Sequence, residues 1–280
     1  MQLTPRYDAP PVARFVDPPT DLAVPLGRQR RRLGHLLDGL DADQWATPSR
    51  CEGWTVRDVI AHLVGADRFW AVSARAGLAG EPTRYLVGFD PVATPAAMVA
   101  GSSEQAPAEV LADYHRACDD LLDALADLEP EQWQLIAEGP PGHLQMQGIV
   151  RHALWDGWIH ERDVALPLGV TPDQEADELA AVLEYAIALG PGLQATLGSE
   201  RTGTLAAVAD ELDDAVVVEI GPTVTIGRRP TPDGTPTLRG GAVDLIEGLS
   251  LRAPFAPDLA DEDRWMVEGL AVAFDQAPPT

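Results

Sequence analysis

The stretch Arg151-His152-Ala153-Leu154-Trp155-Asp156-Gly157-Trp158-Ile159-His160-Glu161-Arg162-Asp163 constrains this chain more than any other. It reads as the middle of a helix over about 145 to 165, bounded by Pro167 and Gly169. Asp156 and His160 are four apart. On a helix that places a carboxylate and an imidazole on one face, about one turn and roughly 6 Å apart. The spacing suits two ligands of one divalent metal. A third ligand has to come from another helix, and His62 is the candidate. His152 also precedes Asp156 by four, but it lies two turns, about 12 Å along the axis, from His160. Both cannot bind one ion, so His152 is either the alternative partner of Asp156 or a neighbour lining the pocket. Asp163, three after His160, either accepts from the second imidazole N–H or is a polar residue near a helix end.

The surrounding chain is acidic. Its 280 residues carry 44 Asp and Glu against 20 basic side chains, a formal net charge of −24. Such a surface repels nucleic acid and anionic membranes, and neither is an expected partner. The 20 basic residues are all Arg, which with the wealth of Ala, Gly, Pro and Asp is the composition of a GC-rich, actinobacterial type of genome. Without Lys, Schiff-base chemistry through a lysine is impossible. Cys51 and Cys118 are the only cysteines and form no C-x-x-C pair, so no disulfide framework is expected. No run approaches 18 uninterrupted apolar residues, and residues 1–19 lack an apolar signal core. These features predict a soluble cytoplasmic protein. There is no G-x-x-x-x-G-K phosphate loop, no G-x-G-x-x-G after a strand and no G-x-S-x-G elbow.

Hydrophobic periodicity predicts helices over about 21 to 40, 55 to 77, 107 to 128 and 145 to 165. Thr55-Val56-Arg57-Asp58 has capping-box form at the start of the second. Residues 80 to 105 are rich in Gly and Pro, a connection long enough to be a crossover between helices. Arg28, Arg30, Arg31 and Arg32 read as a solvated face of the first helix. After Gly169 a fifth helix is expected over 173 to 189, ending before Gly190-Pro191-Gly192. Strands at 215–220 and 223–226, a possible third at 237–239, and helices at 242–251 and 261–275 complete the pattern. The fold class is thus α followed by α+β. An N-terminal arm covers 1–20, a helical metal-binding bundle 21–170, and a small α+β domain 171–280.

Three runs carry a family resemblance. Trp45-x-x-Pro48-Ser49-x-Cys51-x-Gly53-Trp54-Thr55-Val56-x-Asp58-Val59-x-x-His62-Leu63 resembles the N-terminal motif of the mycothiol-dependent maleylpyruvate isomerase family, in the DinB-like superfamily. Asp156 to Val164 resembles that family's second motif. The run Ala242 to Arg252 is similar to the end of its sterol-carrier-like C-terminal domain. The resemblance covers about residues 20 to 276 and implies a DinB-like four-helix bundle with a long crossover, holding a divalent metal, usually zinc. The first and last ligand histidines match His62 and His160. The position four before the last, usually His or Glu, is Asp156 here, one methylene shorter than Glu. An Arg that faces the family's pocket from the C-terminal domain best matches Arg252, the expected catalytic residue.

The implied chemistry is that of a thiol cofactor. Mycothiol, or a related low-molecular-weight thiol, would be the co-substrate, deprotonated at the metal and attacking a small electrophile. Metal-dependent S-transfer is the favoured expectation. Maleylpyruvate-type cis-trans isomerisation is the second. A non-catalytic ligand- or partner-binding protein, with structural or absent metal, is the third. A monomer or homodimer is expected.

Overall fold

The computed structural model describes residues 2–17 and 21–276. In chain order it runs through β1 (Ala13–Phe15), α1 (Ala23–Asp38), a short α2 (Ala42–Trp45), α3 (Val56–Leu78), α4 (Ala93–Gly101) and α5 (Pro107–Ala124). A hairpin of β2 (Ile136–Gly139) and β3 (Gly142–Gln145) leads into α6 (Met146–Ala165) and α7 (Ala176–Thr196). Strands β4 (Gly203–Ala209), β5 (Val216–Ile220), β6 (Val224–Arg228) and β7 (Thr237–Gly240) follow, then α8 (Ala242–Leu249) and α9 (Trp265–Ala273).

Two of the long helices start at local sequence signals. Thr55 and Asp58 form the predicted capping box at α3, the Thr55 N–H donating to Asp58 Oδ2 at 3.0 Å. Pro107 occupies the first turn of α5, where its missing N–H costs nothing. Helices α1, α3, α5 and α6 form a bundle in which α3 packs on α5 and α6, and α1 packs on the same two. The long connection between α3 and α5 carries α4, which lies on α3. The second layer is a mixed sheet of order β1-β6-β5-β4-β7, antiparallel through its centre and parallel at both edges. Helix α7 packs on α6 on one side and on α8, α9 and the sheet on the other. The core runs across residue 170 without a break: Leu154 and Trp158 share a buried cluster with Val182, Leu183, Val216 and Ile226. No helix among the described residues is long and apolar enough to cross a membrane.

Three local expectations are corrected. The N-terminal arm is not only an extension: β1 completes the C-terminal sheet by pairing parallel to β6, Ala13 opposite Val224 and Phe15 opposite Ile226. The fifth helix does not stop at Gly190-Pro191-Gly192 but runs through it to Thr196. The glycine there serves close packing, because a Cβ on Gly269 of α9 would lie 1.9 Å from the Gly190 carbonyl oxygen. A side chain at that crossing would push α7 and α9 apart, and Pro191 is accommodated inside the helix beside it. The arginines of α1 are not one solvated face either. Arg30 is buried and forms a two-pronged pair with Asp67, Nε to Oδ2 at 2.9 Å and Nη2 to Oδ1 at 2.7 Å. Arg28 and Arg32 reach Glu178 of α7, and Arg32 also reaches Glu161 of α6. Only Arg31 of the four is classed as exposed. Buried carboxylates on the partner helices, which the sequence of α1 cannot reveal, draw the others inward.

Candidate metal centre

Helix α3 carries His62 and helix α6 carries Asp156 and His160, and the packing of the two helices brings all three side chains together. One ligand atom from each lies within 4.8 Å of the others. His62 Nε2 is 3.4 Å from Asp156 Oδ2, and His160 Nε2 is 3.5 Å from Asp156 Oδ1. The two imidazoles meet edge to face, with centroids 4.9 Å apart. All three side chains are mostly buried, each keeping between 10% and 13% exposure. That is enough for an ion or a ligand to reach them from the cavity they line.

The electrostatics of the cluster fit a cation. His160 Nδ1 faces Asp163 Oδ2 at 3.0 Å. Donation of the Nδ1 proton to that carboxylate leaves Nε2 as a lone pair aimed at a second carboxylate, Asp156. The nitrogen–oxygen separations of 3.4 to 3.5 Å are long for good hydrogen bonds. They match the edge, about 3.4 Å, of a tetrahedron with ligands ~2.1 Å from a central zinc. Buried His62 Nδ1 has no hydrogen-bond partner, so the Asp156 side is the polar contact of that ring. Burial pushes the Asp156 carboxyl up, but His62 and His160 more than offset this and hold it well below the usual carboxylate range. The donor set of two imidazoles and one carboxylate suits zinc, with room for a further ligand.

A second layer supports the first. Asp163 is fully buried, and its carboxylate accepts from His160, from Cys51 Sγ at 3.1 Å and from Arg252 Nε at 3.0 Å. Burial raises its pKa, while His160 and Arg252 bring it down to about 2. Cys51 sits on the loop before α3, anchored where the Arg50 N–H donates to the Asp163 carbonyl at 3.1 Å. Burial and the neighbouring Asp163 push its thiol up to about 12, so it is a protonated donor and not a nucleophile at neutral pH. Cys51, His160 and Asp163 form a second cluster of three ligand-type side chains, sharing His160 with the first. In the sequence Cys51 stood out only as a letter of a motif. Its place beside Asp163 depends on the loop folding back onto the end of α6.

Arg252 is brought to the same place from the other layer. It follows α8, and Leu251 before it adopts a left-handed φ of 58°. A branched residue in that region is strained, and here the turn aims the guanidinium at Asp163. Arg252 lines the cavity with 27% of its side chain exposed. His152 lies outside the ligand cluster. Its Nδ1 meets the Tyr185 hydroxyl at 2.5 Å, and its ring packs against Trp70 and Trp155. Burial holds its pKa down at about 4, which leaves it a neutral part of the cavity wall. Tyr185 comes from α7, and nothing in the sequence around it signals that contact.

Comparisons with known proteins agree with this architecture. Two solved structures, of mycothiol-dependent maleylpyruvate isomerase and of a His-to-Ala mutant of it, superpose with a TM-score of 0.58 at 15% identity. The superposition covers 83% of this chain and 89% of theirs, a likeness of fold. Two uncharacterized proteins of Mycobacterium tuberculosis, from strains CDC 1551 and H37Rv, are 33% identical over 144 residues. That stretch is 49% of this chain, which thus spans about half (52%) of the length of these relatives. The family model for the mycothiol maleylpyruvate isomerase N-terminal domain matches residues 26–165, half of the 280-residue chain, and includes His62, Asp156 and His160. This chain belongs to the mycothiol maleylpyruvate isomerase N-terminal domain family.

Proposed function

We propose that the protein is a metal-dependent thiol S-transferase that joins mycothiol, or a related low-molecular-weight thiol, to an electrophilic small molecule. The observation that carries this reading is the convergence of His62, Asp156 and His160 at one end of a large cavity. A divalent metal held by these three, zinc in first place, would supply a Lewis-acid position at which a thiol is a thiolate at neutral pH. Asp163 holds the His160 Nδ1 proton and so keeps Nε2 turned toward the ligand cluster. Arg252 commits Nε to Asp163, and the rest of its guanidinium fork suits an anionic group of thiol or substrate. The apolar walls exclude water from the reacting atoms. In addition to an activated double bond, the S–H bond breaks and an S–C bond forms at the β-carbon. The π pair then takes the proton at the α-carbon, so nothing else is consumed. On an activated aryl halide the S–H and C–Cl bonds break, an S–C bond forms, and chloride and the thiol proton leave to solvent.

Isomerisation, the activity in the name of the structural relatives, would use the same adduct but expel the thiol again. Transfer is preferred because the cavity offers poor charge compensation for a dicarboxylate. Arg50 and Arg252 line it, yet Arg50 is paired with Glu247 and Arg252 commits Nε to Asp163, which leaves part of one guanidinium fork, enough for one carboxylate and not for two. The proposed partners are therefore a thiol and a small electrophile, with no nucleic acid or membrane for a chain of net charge −24. The test is to load purified protein with zinc and incubate it with mycothiol and 1-chloro-2,4-dinitrobenzene. The S-conjugate and chloride should appear in step, faster than without protein, and His160→Ala should abolish the acceleration. Equal rates with and without metal would overturn the proposal.

A further inference from the structure

We infer that the cavity is built for an electrophile carrying an extended hydrocarbon body, its reactive head at the His62–Asp156–His160 end and its chain directed toward the N-terminal arm, the crossover and α9. The inference rests on the S-transfer reading for the identity of the head, and on the cavity alone for the body.

The cavity measures about 770 Å3, within the range of roughly 300–1,000 Å3 that holds a drug-sized ligand. Its charged and ligand-type groups His62, Asp156, His160 and Arg252 are tied together by contacts through Asp156 and Asp163, while Thr94 and Gln276 are polar lining residues of the crossover and of the segment after α9. The remaining wall is assembled from three distant parts of the chain, each of which presents apolar side chains. The N-terminal arm gives Leu3, Val12 and Phe15, the crossover gives Leu86 and Phe89, and α7 with α9 gives Leu189, Leu193 and Leu270.

Two pairs of polar side chains in the wall bond to each other, while Trp70 Nε1, beside His152, is buried with no hydrogen-bond partner among the described residues. Trp155 Nε1 donates to Ser250 Oγ at 2.8 Å, and His152 is joined to Tyr185. The rings of Trp70, His152, Trp155 and Tyr185 pack on one another there and all four residues line the cavity. The arginines at the polar end already oppose carboxylates. A compact polyanion would lose its hydration and gain only the free part of the Arg252 fork. A hydrocarbon body loses nothing on entering and gains from every methylene buried.

The rim has the same character. Val92 and Met98 line the cavity and are also 51% and 42% exposed, so they stand at its opening. Tyr85 and Val87 on the same segment are 69% and 72% exposed. An apolar approach to the cavity is what an apolar ligand requires and a polar one does not.

The test uses n-alkanols from butanol to decanol as probes, on the full chain, with and without zinc and in the absence of any thiol. Binding is followed by isothermal titration and by the fluorescence of Trp54, Trp70 and Trp155, which line the cavity. Affinity should rise with chain length by up to about fourfold per methylene, the limit set by complete burial. From hexanol to decanol the gain should be at least about tenfold. Leu189→Glu and Phe89→Asp, checked for an unchanged melting temperature, should each flatten the gradient. A flat gradient in the unaltered protein would overturn the inference, as would a gradient that survives in a folded variant. Because alkanols carry no electrophile, the two readings fail separately. A steep gradient without S-conjugate formation leaves the hydrocarbon site standing and removes the transferase; conjugate formation with a flat gradient does the reverse.

Discussion

Gly157 is the opening through which Arg30 reaches the middle of the bundle. A Cβ at Gly157 would lie 1.5 Å from Arg30 Nη1 and 2.7 Å from Gln29 Oε1. The guanidinium lies against the backbone of α6, donates to the Ala153 carbonyl at 3.0 Å and pairs with Asp67 of α3. One missing methyl group therefore lets an ion pair tie α1, α3 and α6 together beside Asp156 and about one turn from His160.

Gly157→Ala should displace Arg30 and leave Asp67 buried and uncompensated. Breaking a buried pair in this way costs about 3–5 kcal/mol. Gly192→Ala is the contrast, since a Cβ there meets nothing within 4 Å and the position lies inside α7. It should be neutral or stabilise by about 0.5–1 kcal/mol. Urea unfolding of the two variants checks both signs, and equal midpoints would show that the Arg30 pathway is dispensable.

How far the sequence could be read follows from where the information resides. The ends of α3, α5 and α6 are written locally, in Thr55-x-x-Asp58, in Pro107 and in Gly169, and the predicted ranges agree with the observed ones to within a few residues. The convergence of His62 with Asp156 and His160 rested on a spacing within α6 and on the family motif for its third member. Other contacts were not local. The β1 strand forms only because β6 offers an edge more than two hundred residues later. The β4 run Gly-Thr-Leu-Ala-Ala-Val-Ala has weak strand preference by itself and becomes a strand between β5 and β7. The inward turn of Arg28, Arg30 and Arg32, like the contact of Cys51 with Asp163, depends on partners placed by tertiary packing.

Glu138 provides a test of acid stability remote from the metal centre. This buried β2 carboxylate accepts from the Tyr7 hydroxyl at 2.7 Å and the Thr83 hydroxyl at 2.6 Å. The backbone N–H groups of Tyr85 and Leu86 donate to it at 2.9 and 2.7 Å. Burial raises its pKa, but these donors outweigh burial and leave it lowered. A depressed folded pKa means that the stabilisation is complete above the unfolded value, about 4.3. It is lost as the pH falls through the folded value. Glu138→Gln, which turns an amide N–H toward donors, should cost about 1–3 kcal/mol at pH 7. The difference from the unaltered protein should shrink as the pH drops below about 4.3. A difference that stays constant from pH 7 to pH 3 would rule out the carboxylate as the cause.

Asp163 sets the tautomer of His160 and should therefore tune metal affinity without being a ligand of the first cluster. Asp163→Asn should weaken zinc binding by about 10–100-fold, the usual cost of losing a partner of a ligating imidazole. His160→Ala should lower metal content further. Competition against a chromogenic chelator measures both. An unchanged dissociation constant in Asp163→Asn would mean that the imidazole is oriented by something other than its contact with Asp163 at 3.0 Å.

Arg252 separates a substrate-holding role from a merely structural pair. Its Nε donates to Asp163, and its Nη2 lies 3.7 Å from Cys51 Sγ. If its work ends with that ion pair, Arg252→Ala removes one of several groups around Asp163. His160, Cys51 and the more distant Arg50, with Nε at 3.7 Å, remain. Stability would then fall modestly, metal content would hold, and S-conjugate formation would be intact. If the guanidinium also holds an anionic group in the cavity, kcat/KM falls by about tenfold for each ~1.4 kcal/mol of lost transition-state binding. We expect the second pattern, with zinc content held and the melting temperature lowered no further than loss of the Asp163 pair alone would lower it. Arg252→Lys discriminates further, because an ammonium keeps the charge but not the fork. It should keep the pair with Asp163 yet recover only part of the activity. Full activity in Arg252→Ala would remove Arg252 from the site and leave it as a support for Asp163.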